Sequence, residues 1–302
     1  MIPAGMSQHE VPVGGDRRLM VEVSGNRDGM PVFLMHGTPG SRSGPKPRGS
    51  VSYRLGVLLI SYDRPGYGRS TRHPGRGVAD AARDVAAIAD ALGIDRFAVV
   101  GRSGGGPHAL ACAALLPQRV VRTAVLVSLA PANARDLNWY DGMTPGNVAA
   151  YTWADNDYPA LKKELTSRAA SLAVDPESMF EGLRTELEAA DRRVVDNVAI
   201  RRQLAQSYTE ALRDGPFGWL DDVLAFRADW GFDLGAITSP VRIWHGADDR
   251  FSPVSHAQWL ARQIPGAVID VRPGAAHFNA VEILPEILSW VAAVAPHQRD
   301  GD

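Results

Sequence analysis

Residues 99–107 read Val-Val-Gly-Arg-Ser-Gly-Gly-Gly-Pro and join an apolar segment to an Ala/Leu-rich segment through the pattern Gly-x-Ser-x-Gly. Phe97 to Val100 is predicted as a short buried strand, and His108 to Leu116 as part of the helix that follows. A serine in this context stands on a sharp turn that needs small neighbours, because other segments of the chain come close to Gly101 and Gly105. The pattern therefore predicts that Ser103 is a nucleophile.

Glycine-rich turns of this kind also bind phosphate groups, so the alternative has to be weighed. The P-loop spacing GxxxxGK[ST] is absent from these residues, and the dinucleotide pattern GxGxxG would require glycine at position 103, where serine stands. The stretch favours a nucleophilic serine over a phosphate loop.

A nucleophilic serine needs a base, an acid that orients the base, and donors for an oxyanion. Of the eight histidines, His277 follows a strand-like run at 267–271 through a small-residue loop, and it is the candidate base. An earlier strand at 241–244 runs into a loop that contains Asp248 and Asp249. The order serine, aspartate, histidine is one of the known orders of a catalytic triad.

Two further loops follow predicted strands in the first part of the chain. The strand at 32–35 runs into His-Gly-Thr-Pro-Gly at 36–40, and the strand at 57–62 runs into Asp-Arg-Pro-Gly-Tyr-Gly-Arg-Ser at 63–70. These loops resemble the HGxPG and DRPGxGxS segments of the α/β-hydrolase superfamily. The collinear order of all four motifs is far more specific than any one of them.

The resemblance implies a role for several residues. The superfamily's acid usually stands three residues after the glycine of the GxxD turn, which selects Asp249 over Asp248. The oxyanion hole would use the backbone N–H groups of Gly104 and Thr38, while Pro39 has no N–H to donate. Asp136 is a weaker alternative acid, because some members place it after the preceding strand.

Other polar residues in the motifs receive structural interpretations. His36 is expected to hold the backbone of its own turn, His108 to be a satisfied helix histidine, and His245 to be structural. Asp63 and Arg64 are expected to stabilise their turn as a pair, because a carboxylate beside glycine and proline commonly accepts its own loop amides.

Composition limits the possible partners and cofactors. A formal net charge of −2 gives no electrostatic case for nucleic acid or an anionic membrane, and the single Cys112 rules out an internal disulfide. The first residues lack the basic start and apolar run of a secretory signal, and no stretch has the roughly 18 apolar residues of a membrane span. With no HExxH or paired-cysteine site, no metal or organic cofactor is expected. We therefore expect a cytoplasmic enzyme with a small-molecule substrate, and its oligomeric state stays open.

Short apolar strands alternate with helices along most of the chain, which predicts an α/β fold with a mostly parallel, doubly wound sheet. Residues 1–131 and 236–302 are predicted to form this core, and 132–235 an inserted helical cap. The alternation gives a helix from Val78 to Leu92 and a closing helix from about Leu284 to Val294. Strands are predicted at 19–23, 32–35, 57–62, 97–100, 123–128, 241–244 and 267–271.

The predicted cap lacks a convincing buried strand and is rich in aromatic residues, with 12 of the 22 in the chain. Asp175-Pro176 is predicted to start a helix, and residues 192–212 to form a long helix ended by Gly215-Pro216. Trp139, Trp153 and Trp230 are candidates for an apolar roof over Ser103, which would favour a hydrophobic substrate.

The expected activity is hydrolysis of a small hydrophobic carboxylic ester through a Ser-His-Asp triad and an acyl-enzyme intermediate. Hydrolysis of a C–C bond is one alternative. A proline-iminopeptidase-like activity is another, in which cap carboxylates (Glu181, Glu186, Glu188 and Asp191) would hold a substrate amine. Haloalkane dehalogenases and epoxide hydrolases share the scaffold but use aspartate where Ser103 stands. Two alternative functions outside the hydrolases are a non-hydrolytic cyclase or lyase and a non-catalytic receptor. The presence of all three triad residues argues against the receptor.

Overall fold

The computed structural model describes residues 7–293. Within that range eight strands form one sheet in the order β1-β2-β4-β3-β5-β6-β7-β8. The pairs β1–β2 and β2–β4 are antiparallel, and every other neighbouring pair is parallel. The strands are β1 (Ser7–Pro12), β2 (Arg18–Gly25), β3 (Met30–Met35), β4 (Val57–Tyr62), β5 (Phe97–Arg102), β6 (Val120–Leu126), β7 (Val241–Gly246) and β8 (Val268–Arg272).

Helices cover both faces of this sheet, which confirms the predicted α/β class. They are α1 (Gly49–Arg54), α2 (Asp80–Ala91), α3 (Gly105–Leu115), α4 (Pro145–Asn156), α5 (Tyr158–Val174), α6 (Ser178–Leu183), α7 (Ala189–Val195), α8 (Val198–Ala211), α9 (Phe217–Arg227), α10 (Val254–Gln263) and α11 (Leu284–Ala292). Short 3₁₀ turns lie at Leu234–Ala236 and Phe278–Val281. The predicted end of the last helix, Val294, lies outside the described residues.

The two faces of β3 show how the core is divided. Phe33 and Met35 pack in the larger apolar cluster with residues of α2 and α3. Val32 and Leu34 point to the other face, where they share a second cluster with Leu288 and other residues of α11. Because successive side chains of a strand alternate between faces, a central strand buried on both sides has a continuous apolar sequence.

All seven predicted strands are present with small shifts at their ends, but β1 was not predicted. Its sequence, Ser-Gln-His-Glu-Val-Pro, is mostly polar, and only Val11 is buried. The strand pairs antiparallel with β2 at the edge of the sheet, so solvent reaches most of its side chains. An edge strand of this kind lacks the apolar run on which the other predictions rested.

Six helices, α4 to α9, lie between β6 and β7, and two predictions in this stretch were wrong. The predicted helix 192–212 is broken into α7 and α8, because the Asn197 side chain accepts hydrogen bonds from the N–H groups of Ala199 and Ile200 and caps α8. Asp175 ends α5 instead of starting a helix: its side chain accepts from the Glu177 N–H (2.9 Å), and α6 begins at Ser178. The domain boundaries at 131/132 and 235/236 stay a prediction.

No helix between residues 7 and 293 is both long enough and apolar enough to span a membrane.

Candidate active site

Ser103 stands on the turn between β5 and α3 with a φ of +53°. Its N–H donates to Leu126 O (2.8 Å), and its own carbonyl accepts from the Gly106 N–H (2.8 Å). A left-handed backbone at a non-glycine residue is strained and persists only where the surroundings hold it. Here the neighbouring strand β6 and the first turn of α3 hold Ser103 at the carboxyl edge of the sheet.

The glycines around Ser103 are required by close backbone approach. A Cβ atom on Gly101 would lie 2.3 Å from Gly105 O, and one on Gly105 would lie 2.4 Å from Met35 O. Real Cβ atoms do not approach backbone oxygens so closely. The structure therefore confirms the predicted need for small residues at these two positions.

His277 and Asp249 reach Ser103 from the loops that follow β8 and β7. His277 Nε2 lies 3.0 Å from Ser103 Oγ, and His277 Nδ1 lies 2.9 Å from Asp249 Oδ2. Because an ionised carboxylate only accepts hydrogen bonds, Nδ1 carries the proton and the Nε2 lone pair faces the serine hydroxyl. The neighbouring Asp248 is exposed, and so is Asp136 in its turn after β6.

Asp249 is almost completely buried and accepts hydrogen bonds on both carboxylate oxygens. Oδ1 accepts from the N–H groups of Phe251 (2.8 Å) and Ser252 (3.0 Å), and Oδ2 lies 3.3 Å from His245 Nε2 as well as facing His277. Burial alone would raise the pKa of Asp249, but His277 and the hydrogen bonds from His245 and His277 outweigh it and hold the pKa well below its usual value. Asp249 is therefore ionised at neutral pH.

His245 contributes to this arrangement in the structural way that was expected. Its Nε2 lies 2.6 Å from Ser252 O, which can only accept, so Nε2 carries a proton. The same N–H faces Asp249. The ring thus fixes the loop around the aspartate without contacting Ser103.

Thr38 and Gly104 lie side by side where oxyanion donors were predicted. A Cβ atom on Gly104 would lie 2.2 Å from Thr38 Oγ1, so the two residues are in close contact. Among residues 7–293, neither backbone N–H has a hydrogen-bond acceptor. Both residues line the pocket that contains Ser103 and His277, and the oxyanion role of their amides stays a prediction.

The sequence interpretation missed Asp222, a wholly buried carboxylate of α9. It accepts hydrogen bonds from Thr38 Oγ1 (2.6 Å), Tyr67 OH (2.8 Å) and the guanidinium groups of Arg64 and Arg76 (both 2.6 Å). Burial opposes ionisation, but the two arginines outweigh it and keep the pKa of Asp222 well below its usual value. This network, which we call the Asp222 cluster, ties the Thr38 loop to the helical insertion.

The expected pairing of Asp63 with Arg64 was wrong in one respect. Asp63 forms its ion pair with Arg42, and its side chain also accepts from the Arg69 N–H (3.4 Å) of its own loop. Arg64 instead reaches Asp222 and the Gly37 carbonyl (3.0 Å). Asp63 and Arg64 are neighbours in sequence but belong to two different ion-pair clusters, one with Arg42 and one with Asp222. The local sequence could not indicate this.

His36 holds the structure around these clusters, but the expectation that His108 is a satisfied histidine was wrong, because neither of its buried ring nitrogens has a hydrogen-bond partner among the described residues. His36 Nδ1 lies 2.8 Å from Gly37 O, and Nε2 accepts from the Arg64 N–H (3.1 Å), which is the loop-holding role that was expected. Burial, assisted by Arg64, holds the pKa of His36 well below its usual value. Burial also lowers the pKa of His108 to about 4, so this ring is neutral beside Asp222 (3.4 Å) at neutral pH.

The pocket over Ser103 has an aromatic wall, but different residues build it from those expected. Trp139, Trp153 and Trp230 are absent from its lining. Trp139 packs edge-on against Tyr140 and Tyr151 and donates to Ala130 O, Trp230 stacks on Phe232, and Trp153 packs on the apolar core. The aromatic residues that line the pocket are Tyr151, Tyr208, Trp219, Phe226, Phe251 and Phe278.

Only some of the candidate carboxylates come near the pocket. Glu186 lines it and accepts from the Gly146 N–H (3.0 Å). Asp191 is buried and accepts from the Phe278 N–H (2.7 Å), next to His277 in the chain. Glu181 and Glu188 are not part of the lining. In the described part of the chain, no group of three or more His, Cys, Asp or Glu side chains could hold a metal ion.

Comparison with known proteins places this geometry in context. A family model described as alpha/beta hydrolase fold matches residues 30–282. The chain is 27% identical over 260 residues to the 2-hydroxymuconate semialdehyde hydrolase of Pseudomonas putida, covering 84% of this chain and 83% of that protein. It is 28% identical over 232 residues to the bifunctional esterase/perhydrolase of Acinetobacter calcoaceticus, covering 76% and 78%. The crystal structure of a bromoperoxidase from Bacillus anthracis superposes with a TM-score of 0.68 at 21% identity, covering 93% and 96%.

Proposed function

The chain belongs to the alpha/beta hydrolase fold family, and from that premise we propose that it is a serine hydrolase of small hydrophobic carboxylic esters. One observation carries the proposal: His277 bridges Ser103 Oγ (3.0 Å) and Asp249 (2.9 Å) through its two ring nitrogens. That is the arrangement that activates a serine hydroxyl.

In the proposed mechanism Ser103 Oγ attacks the ester carbonyl while His277 Nε2 takes the hydroxyl proton. Asp249 keeps the imidazole in its tautomer and stabilises the positive charge that forms. The Thr38 and Gly104 amides bind the tetrahedral oxyanion, and each such donor lowers the barrier by roughly 3 kcal/mol. His277 then protonates the leaving alcohol and activates water, which releases the acid from Ser103.

The pocket supports an ester with an apolar part. Trp219, Phe226 and Phe251 lie in its wall with Leu129 and Val223. Apolar and aromatic walls with a few convergent polar groups are typical of small-molecule sites. One relative is named as an esterase/perhydrolase, and we extend the ester part of that name to this chain.

Hydrolysis of a C–C bond is the second candidate, favoured by the relative named 2-hydroxymuconate semialdehyde hydrolase. It would use the same serine, histidine and amides with a carbon leaving group. An iminopeptidase activity has less support, because Glu186 is the one member of the four candidate carboxylates that lines the pocket.

The test is hydrolysis of para-nitrophenyl esters of increasing acyl length by the wild type and by Ser103→Ala, with a fluorophosphonate probe as a second readout. The proposal predicts turnover and labelling by the wild type and neither by the variant. Labelling without turnover of any ester would replace the ester hydrolase with the C–C hydrolase or a cyclase. Absence of both in the folded wild type would overturn the serine mechanism.

A further inference from the structure

Arg102, which precedes the candidate nucleophile, differs from the other buried arginines. Four arginine side chains are buried among the described residues: Arg42, Arg64, Arg76 and Arg102. The first pairs with Asp63, and the next two pair with Asp222. Arg102 has no hydrogen bond or ion pair through its guanidinium to any residue between 7 and 293, although only 8% of the residue is exposed.

Arg102 lines the pocket over Ser103 and also a small neighbouring cavity beside Ser41 and Ser61. A Cβ atom on Gly37 would lie 3.5 Å from Arg102 Nη2 and 3.4 Å from Ser103 Cβ, so one point on the pocket wall contacts both residues. Gly37, Arg102 and Ser103 all line the pocket. The Arg102 nitrogens are not among the fully inaccessible side-chain atoms that lack a partner. Because they make no hydrogen bond either, they must border open space.

A second polar group opens onto the same space. Tyr208 of α8 lines the pocket, and its hydroxyl makes no hydrogen bond to the described residues and is not sealed off. Burial raises the pKa of Tyr208, and the charge of Arg102 opposes that rise. The two groups are therefore close enough to interact, and together they offer a cation and a hydroxyl donor.

A buried guanidinium without a counter-ion is costly. Arginine stays protonated at neutral pH, and an uncompensated charge taken out of water is strongly unfavourable. The other pocket groups do not compensate it. Arg168 is paired with Glu164 (2.7 Å), and Glu186 makes no ion pair with Arg102. Arg102 is thus an unpaired cation next to the nucleophile, while the unpaired carboxylate of Glu186 lies elsewhere in the lining and forms no ion pair with it.

We propose that the substrate carries a carboxylate that Arg102 binds, so that the enzyme hydrolyses monoesters of short dicarboxylic or similar anionic acids. This proposal rests on the serine hydrolase function proposed above. The guanidinium fork matches a planar carboxylate, and a single positive charge matches a single negative one. Water cleaves the ester to an acid and an alcohol, and the bound carboxylate passes through the reaction unchanged.

The test compares monoethyl succinate, glutarate and adipate with the neutral amides in which a carboxamide replaces the carboxylate. The readout is the ratio of kcat/KM for the anion to kcat/KM for the matched amide. In the wild type this ratio exceeds unity for at least one chain length. In Arg102→Met it falls by roughly 10- to 100-fold, as expected for a lost charge-assisted hydrogen bond, and Arg102→Lys restores part of it.

Two controls define the outcome. Arg83→Met removes an exposed guanidinium of α2, 88% of whose side chain is accessible, and leaves the ratio unchanged. Arg168→Met, the second control, removes the other arginine of the pocket lining and also leaves the ratio unchanged. The proposal would be overturned by a ratio near unity in the wild type or by an unchanged ratio in Arg102→Met. A ratio that falls in Arg168→Met but not in Arg102→Met would overturn it as well.

Calorimetry of glutarate binding keeps the proposal testable if Arg102→Met fails to fold. Ser103→Ala is expected to bind glutarate more tightly than glutaramide, and equal affinities would overturn the proposal. If no ester is turned over and the fluorophosphonate does not label the wild type, the hydrolase function fails. The glutarate result still decides whether the pocket that contains Arg102 binds a carboxylate.

Discussion

The loops at the carboxyl ends of the parallel strands and the helices between β6 and β7 build one pocket in different ways. In the loops, Ser103, His277 and Asp249 each have hydrogen-bond partners at 2.8–3.0 Å. The helices contribute mainly side-chain surface, such as Tyr151, Trp219 and Phe226. The reacting groups thus lie on rigid strand ends, while the helices shape the space above them.

Two carboxylates of the helical insertion depart from this division. Asp222 of α9 accepts from Thr38 Oγ1 in the strand-end loops, and Asp191 of α7 accepts from the N–H that follows His277. Both carboxylates are buried and have hydrogen-bond partners in the strand-end loops. The helices between β6 and β7 are therefore fixed to the strand-end loops by buried hydrogen bonds at these two points.

The strand-end loops should show the largest effect, on replacement of Asp249. Asp249→Asn removes the charge that supports the His277 imidazolium and disturbs its tautomer, so kcat for a para-nitrophenyl ester should fall by about 10⁴-fold. The matched control is Asp248→Asn, which changes the exposed neighbour. Equal activities of the two variants in steady-state assays would contradict the assignment of Asp249.

The Asp222 cluster should show the largest effect on stability. Asp222→Asn leaves two buried guanidinium groups without their carboxylate and should lower the free energy of unfolding by about 3–5 kcal/mol in urea titrations. Asp221→Asn, on the same helix, weakens a pair with Arg72, which is one-third exposed and so stays partly solvated, and should cost less, about 1–2 kcal/mol. Similar losses of unfolding free energy in both variants would show that the Asp222 cluster stabilises the fold no more than an ordinary ion pair does.

Asp191 should make stability depend on pH. Burial, opposed by the Phe278 hydrogen bond and by His277, raises the pKa of this carboxyl to about 6, against about 3.9 in an unfolded chain. The folded state holds the proton more tightly, so the stability from Asp191 is complete below pH ~4 and is lost as pH rises through ~6.

Asp191→Asn keeps an acceptor for Phe278 but removes this dependence. The variant's unfolding free energy relative to the wild type should therefore rise by about 2 kcal/mol between pH ~4 and pH ~8. The exposed Asp196 supplies the control Asp196→Asn, for which the difference should stay flat. If the difference in unfolding free energy between Asp191→Asn and the wild type also stayed constant with pH, Asp191 would not have the raised pKa on which this prediction depends.

The smallest effect is expected from the aromatic wall. Trp219→Ala enlarges the pocket and should raise the preference for para-nitrophenyl octanoate over butyrate by about 5-fold. That is the effect of burying about one additional CH₂ group, at roughly 0.8 kcal/mol each. Trp230→Ala removes the same side chain from a site outside the lining. If the octanoate preference changed in Trp230→Ala and not in Trp219→Ala, the substrate would contact the tryptophan expected from sequence and not the one in the observed lining.

Features marked by local sequence could be predicted, and those made by distant contacts could not. Ser103, with its glycines and its strand-to-helix context, is a local signal, and so are the strands with continuous apolar runs. The edge strand β1 and the break at Asn197 were missed because polar residues and capping interrupt the patterns. Asp222 bonds Thr38 across 184 positions of sequence, and no periodicity reports such a contact.

The same reason explains Arg102. Its sequence neighbours show a residue inside the Gly-x-Ser-x-Gly pattern, but only the packed structure shows that it is buried without a carboxylate. The aspartate pair in the apolar sequence of α9 was the one available hint of Asp222, since carboxylates are almost never buried unless they are paired.

The central claim, that Ser103 is a nucleophile activated by His277, is tested most directly by peptide mapping after reaction with a fluorophosphonate. The account predicts a single adduct on the peptide that contains Ser103, formed by the wild type and strongly slowed in His277→Gln. An adduct on another residue, or equal labelling rates in the two proteins, would contradict it.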